Sequence, residues 1–378
     1  MKEPKKIILL VFGTRPEAIK MAPLVNTLKH DKGFHTIVCT TGQHKKMVDD
    51  ALSIFKILPD IDLECMIEGQ SLSDLTSKIL ENVGKVIAEI KPDFVLVHGD
   101  TVTTVGTALA AFFNKVKIGH VEAGLRTGNM FSPWPEEANR VIVSKLASIN
   151  FAPTEVAKHN LLSEGISPNK ILMTGNTVID ALLFVRNLID SSESHQIALK
   201  RELVSIDFER PYILITTHRR ENFGDGLKSI IRSIKRLALM HPDIQFVLPI
   251  HLNPLVKVPI ETELGSTSNV VLIPAQQYVS FIYLMINSVL ILTDSGGIQE
   301  EAPALGTPVL LMRDTTERPE AVNAGSVVMV GTDEEDIVSN VNKVILEKAT
   351  FTKFDLDTNP YGTGDAAITI SNWISMNV

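Results

Sequence analysis

Seven segments of this chain put charged or imidazole side chains directly after a short apolar run. They are Gly13-Thr14-Arg15-Pro16-Glu17, His98-Gly99-Asp100-Thr101, Glu122-Ala123-Gly124-Leu125-Arg126-Thr127, His218-Arg219-Arg220-Glu221-Asn222, His251-Leu252-Asn253-Pro254, Asp294-Ser295-Gly296-Gly297 and Arg313-Asp314-Thr315-Thr316-Glu317-Arg318. Three carboxylates, Asp100, Glu122 and Glu136, stand in polar contexts framed by Gly or Pro. Such groups serve as acid/base catalysts if burial raises their pKa. The plainer alternatives are local ion pairs, Glu136 with Arg140 and Glu122 with Arg126. His218 leads a basic cluster able to neutralise a diphosphate. Ser295-Gly296-Gly297 opens an expected helix, Ile298–Leu305, whose free N–H groups can bind phosphate oxygens, although a tight turn alone could also use two glycines. Glu300 and Glu301 follow inside that helix, where a carboxylate can accept from ribose hydroxyls.

Several chemistries find no support. A dinucleotide-binding GxGxxG and a GxxxxGK[ST] phosphate loop are both missing. The ten histidines show no HExxH or paired-ligand spacing, so no catalytic metal is expected. Cys39 and Cys65 lack CxxC spacing, which argues against a disulfide framework or zinc site. A net charge of -8 makes nucleic acid or an anionic membrane a poor partner for the chain as a whole. The run Ile7–Phe12 is too short for a signal h-region, and no stretch of eighteen apolar residues occurs. A cytoplasmic location is expected.

The elements that must carry these residues alternate along the chain. Apolar runs rich in Val, Ile and Leu read as strands covered on both faces: Ile7–Phe12, Thr36–Thr40, Phe94–His98, Lys117–Val121, Tyr212–Thr217, Gln245–Ile250, Val270–Ile273, Val289–Thr293 and Pro308–Met312. Amphipathic stretches lie between them, the first starting at Pro16. This alternation predicts an α/β fold with parallel sheets. At 378 residues, two domains are expected. We place them at residues 1–175 and 176–360, as two Rossmann-like β/α/β domains facing a cleft, with a terminal helix over 361–378 packing back on the first. Ligands in open α/β sheets bind beyond the carboxyl ends of the strands, where all seven segments fall.

Twelve segments in order resemble a known family: VFGTRPEAIKMAPLV (11–25), TGQH (41–44), HGDT (98–101), HVEAGLRT (120–127), SPWPEEANR (132–140), FAPTE (151–155), TGNTVIDAL (174–182), HRREN (218–222), HLNP (251–254), LTDSGGIQEEAP (292–303), DTTERPE (314–320) and NPYG (359–362). The family is the non-hydrolysing UDP-N-acetylglucosamine 2-epimerases, on the two-domain glycosyltransferase-B scaffold. The resemblance implies that Asp100, Glu122 and Glu136 are the acid/base carboxylates and His218 a further catalytic group. It implies that Arg15, Ser295, Gly296 and Gly297 bind the diphosphate and Glu301 the ribose, with Lys20 and Arg313 as further members of the site. Roles among the carboxylates stay open. Gln43, His44 and Gln70 match residues of a second, activating UDP-GlcNAc site in bacterial relatives, while Lys46 and Gly69 stand where some regulated members carry Gln and Arg. A homodimer, a small-molecule UDP-sugar ligand and no cofactor are implied as well. A glycosyltransferase, a hydrolysing epimerase, an epimerase of a modified UDP-hexosamine and a UDP-sugar-binding regulator are the competing readings.

Overall fold

A computed structural model describes residues 5–42, 45–67, 69–346 and 359–378. Two compact units divide the chain, the first made of Met1–Ala181 with Tyr361–Val378 and the second of Leu182–Pro360. The first holds a parallel sheet of β1 (Lys6–Phe12), β2 (Phe34–Thr40), β3 (Ile61–Asp62), β4 (Phe94–His98), β5 (Lys117–Val121), β6 (Ile149–Ala152) and β7 (Ile171–Met173). Their order is β3-β2-β1-β4-β5-β6-β7. In the second unit β8 (Tyr212–Thr216), β9 (Gln245–Pro249), β10 (Val270–Ile273), β11 (Leu290–Thr293), β12 (Val309–Leu311) and β13 (Val327–Met329) pair in the order β10-β9-β8-β11-β12-β13. Each is the doubly wound, Rossmann-like arrangement, in which the winding direction reverses beside the first strand. That switch point lies between β1 and β4 in one sheet and between β8 and β11 in the other.

Physical reasons for these strands are plain. Residues Ile8 to Phe12 are wholly buried, as a central parallel strand with helices on both faces must be. Four strands were not expected from the sequence. β6 reads Ile-Asn-Phe-Ala, and Asn150 interrupts the apolar run; its buried amide is met by the carbonyls of Ser144 and Lys170, at 3.2 and 3.4 Å. β3, β7 and β13 are two- or three-residue edge strands, too short to carry a periodic signal.

The chain leaves the first unit inside the helix Thr177–Asp190 and returns at Tyr361. There the backbone N–H of Asn176 donates to the Tyr361 carbonyl at 2.7 Å. Gly175 and Gly362, both at positive φ, pass so close that a Cβ on Gly362 would come within 3.1 Å of the Gly175 Cα. The helix Ala366–Asn377 then packs against the helix Arg15–His30. Its Trp373 meets the rings of Phe94 and Phe151, with centroids 6.1 and 5.6 Å away. No helix among the described residues is long and apolar enough to cross a membrane.

Candidate active site

In the first unit the β1 and β4 tips are fastened together by Glu17, a carboxylate only 2% exposed. It accepts from the backbone N–H groups of Gly13 and Thr14, at 3.0 and 2.8 Å, and from the Thr101 hydroxyl at 2.7 Å. Burial pushes its pKa up while these hydrogen bonds pull it down, and burial prevails. Arg15 opens the helix beside it. Asp100, one residue before Thr101, is gripped from the helix Glu136–Leu146: Arg140 bonds its carboxylate and the Asn139 side chain donates to its carbonyl at 2.9 Å. Buried Glu137 holds Arg140 in turn, at 3.1 Å, and accepts from the backbone N–H groups of Thr127 and Gly128, both at 3.0 Å.

Glu136 begins the same helix, and its buried Oε2 has no hydrogen-bond partner. Glu122 follows β5 and takes Lys20 and, at 2.9 Å, the side-chain amide of Asn176. Its other oxygen lies 3.7 Å from where a Cβ on Gly99 would stand, next to Asp100. Asp100, Glu122 and Lys20 are thus gathered at one switch point. The partners seen for Arg126 and Arg140 among the described residues are other carboxylates than the two weighed above. Arg126 binds Glu164 at 2.7 and 2.9 Å, while Arg140 binds Asp100, brought close by the β4 tip, and Glu137, one turn before it in its own helix. Behind the carboxylates, burial holds His98 and His120 down at about 4, against the pull of nearby Glu122.

The second unit builds its switch point from arginines and a helix start. Asp294 is wholly buried. It accepts from the backbone N–H groups of His218 and Arg219 (3.0 Å each), the Thr217 hydroxyl (2.9 Å) and the Asn222 amide (3.1 Å), which ties the loop after β8 to the tip of β11. His218 Nδ1 lies 3.3 Å from Asp294, and its ring stacks on His251 at 5.8 Å. Burial lowers the His218 pKa, with Arg219, His251 and Arg313 acting the same way against Asp294.

Ser295 precedes the helix Gly296–Ala304, which starts two residues earlier than the sequence suggested. A Cβ on Gly296 would lie 2.7 Å from an Arg318 guanidinium nitrogen and 2.9 Å from one of Arg219. Two cations therefore stand over the open N–H groups of the first turn, a ready anion site. Buried Glu300 bonds Arg318, and Glu317 bonds Arg219, Arg313 and Arg318 at 3.2, 2.8 and 2.6 Å. Burial pushes the Glu317 carboxyl up, but Arg318 and Arg313 outweigh it and hold it at about 2. Arg313 is bound also by Glu221, at 2.6 Å. One turn along, Glu301 accepts from the Tyr278 hydroxyl at 2.8 Å and lies near Gly297.

Sequence reasoning singled out neither Arg318 nor Tyr278, nor Glu17, Arg140 and Asn176 as supports. The available signal was the segment DTTERPE, where Arg318 stands beside an acidic neighbour. Of the residues matched to an activating site, Gln43 and His44 lie outside the described residues. Gln70 donates to the Cys65 carbonyl and accepts from Lys78, both at 3.3 Å, beside a shallow hollow lined by Ile67, Gly69, Asp74 and Ser77.

A family profile described as UDP-N-acetylglucosamine 2-epimerase matches residues 26–375. The UDP-N-acetylglucosamine 2-epimerase of Escherichia coli O157:H7 is 51% identical over 370 residues, covering 98% of each chain. A crystal structure of UDP-GlcNAc 2-epimerase from Neisseria meningitidis bound to UDP-GlcNAc superposes with a TM-score of 0.92 at 48% identity, over 98% of this chain and 100% of that one. The Methanocaldococcus jannaschii UDP-GlcNAc 2-epimerase, solved in complex with UDP-GlcNAc and UDP, matches at a TM-score of 0.83 and 33% identity, with 98% and 100% covered. From the twelve ordered segments, the two doubly wound sheets and these full-length matches it follows that the chain belongs to the UDP-N-acetylglucosamine 2-epimerases, a family of isomerases.

Proposed function

We propose that the chain interconverts UDP-GlcNAc and UDP-ManNAc by eliminating UDP across C1–C2 and adding it back. The observation that carries this reading is the set of carboxylates at the first unit's strand tips: Asp100 and Glu122 fixed at the switch point, with Glu136 leading the helix that grips Asp100. Carbon 2 of the sugar has no neighbouring carbonyl, so its proton is not acidic, and inversion requires transient oxidation or elimination. With no nicotinamide-binding fingerprint in the sequence, elimination is favoured.

A carboxylate takes the C2 proton, and the C–H electron pair becomes the C1–C2 double bond. The C1–O bond breaks, and its electrons leave with UDP. The products are 2-acetamidoglucal and UDP. Adding the UDP oxygen back at C1, with protonation of C2 from the opposite face, gives the epimer. Charge gathering on the leaving diphosphate is met by the open helix start at Gly296 and by Arg219 and Arg318, which supports their assignment as the diphosphate site. The family resemblance also assigns Arg15 to the diphosphate and Glu301 to the ribose, with Lys20 in the first unit and His218 and Arg313 in the second as further members of the site. The reading includes a homodimer in the cytoplasm making a ManNAc donor for cell-surface polysaccharide, with the family resemblance as its support.

Proton NMR of the enzyme with UDP-GlcNAc in heavy water tests this directly. UDP-ManNAc should appear, with deuterium entering C2 of both sugars. Free ManNAc plus UDP would instead place the chain among hydrolysing epimerases, and no change would point to a modified UDP-hexosamine, a missing acceptor or a binding protein.

A further inference from the structure

Glu122 is held more elaborately than an exposed acid/base group needs to be. Its φ of +60° lies in the left-handed region, which a residue with a Cβ seldom occupies. Such a conformation persists only where neighbours determine it. Lys20 supplies one constraint, as a cation on a flexible stem. Asn176 supplies a stiffer one. This buried side chain donates from Nδ2 to Glu122 at 2.9 Å, while its Oδ1 accepts from the backbone N–H of Val178 at 3.1 Å. Its own backbone N–H is tied to Tyr361 at 2.7 Å. With the oxygen engaged at the helix start, the amide nitrogen has to face the carboxylate.

We propose that Asn176 is the positioning residue of Glu122, fixing where that carboxylate stands for proton transfer. The proposal rests on the acid/base reading of Glu122 given above. It makes the backbone knot at Gly175, Tyr361 and Gly362 part of the catalytic apparatus, because the amide that orients Glu122 is anchored there. Other charged or titratable groups facing Glu122 are Lys20 from the helix Arg15–His30, His98 from β4, Asp100 beyond it and His120 from its own strand.

Asn176→Asp is the informative variant. It keeps the volume and the acceptor for Val178, so the helix start survives, but it replaces the donor facing Glu122 with an oxygen. Two carboxylates then share a site, and one of them holds its proton to higher pH. The expected result at neutral pH is a kcat about 10- to 100-fold lower, with UDP affinity within about twofold of wild type. The acidic limb of the kcat–pH profile should move up by about one unit or more, so that activity recovers as pH rises. Wild-type kcat and an unmoved limb would overturn the proposal, provided that Glu122→Gln measured alongside has lost turnover. Near-normal turnover in Glu122→Gln would instead remove the reading on which the proposal rests, and the proposal with it. If Asn176→Asp does not fold, Asn176→Ala serves: kcat should drop about tenfold with UDP affinity held, and an equal loss of both would count against positioning.

Discussion

The two sheets share a strand order and therefore a switch point, yet they furnish it in opposite ways. At the first, the carboxylates Asp100, Glu122, Glu17 and Glu137 lie around Lys20 and Arg140, and Glu136 keeps a buried oxygen with no partner. At the second, Arg219, Arg313 and Arg318 are clamped by Glu221, Glu300 and Glu317, and two of the three guanidinia are aimed over a helix start. Arginines fixed in place suit the recognition of a charge that is always present, since no reorganisation is needed when it arrives. Partly buried carboxylates held at fixed positions suit proton transfer, because they can accept or donate a proton where the substrate is bound. On the function proposed above, one topology thus carries a proton-transfer half and an anion-binding half, and the difference lies in the residues at the strand tips and on the helices that follow them.

This division can be broken by experiment. The largest effects should come from Asp100→Asn, Glu122→Gln and Glu136→Gln, each lowering turnover by about 10² to 10⁴, the usual worth of an acid/base group. Calorimetric titration with UDP should show affinity almost unchanged in all three. An equal loss of UDP binding would erase the contrast between the halves. Gly296→Ala should do the reverse. The added methyl meets Arg318 and Arg219 and must displace them, so UDP affinity should fall about tenfold, or ~1.4 kcal/mol. Turnover at saturating substrate should change less than that.

A smaller effect separates the halves by pH. His98 and His120, both in the first unit, titrate at about 4 when folded against 6.5 otherwise. Since the unfolded chain binds their protons first, their contribution is complete above pH 6.5 and is lost as pH falls toward 4. Asp180, pushed up to about 6 by burial, works the opposite way, so wild type alone would blur the trend. Urea unfolding of His120→Gln beside wild type isolates it. The slope of stability against pH between 6.5 and 4 should be shallower in the variant, by an amount on the order of 1–3 kcal/mol over the window. An identical slope would mean that His120 is not kept neutral by burial.

Much of this could be read in the residues. Strands β4 and β5 end where their apolar runs end, because a strand buried on both faces has no other way to be written. The positions of the candidate site residues were legible for a related reason, since a charged residue after such a run stands at a strand tip. Pairings were not. Arg140 does pair with Glu137, one turn before it, but Arg126 reaches Glu164 and Arg140 also reaches Asp100, 38 and 40 residues away, and only the assembled fold brings these close. Arg318 stayed hidden because the space it fills is the missing side chain of Gly296, a tertiary fact. Asn150 misled by being polar in a strand core, where backbone carbonyls take up its amide N–H groups.

The return of the chain at Tyr361 also sets an order of events during synthesis. When Pro360 leaves the ribosome, the second unit has its whole sequence, but the first still lacks the helix that puts Trp373 against Phe94 and Phe151. Domains fold as they emerge, at roughly 5–20 residues per second. The half that begins first in the sequence is therefore completed last, and for a second or more its aromatic pocket stands open while its neighbour can already fold.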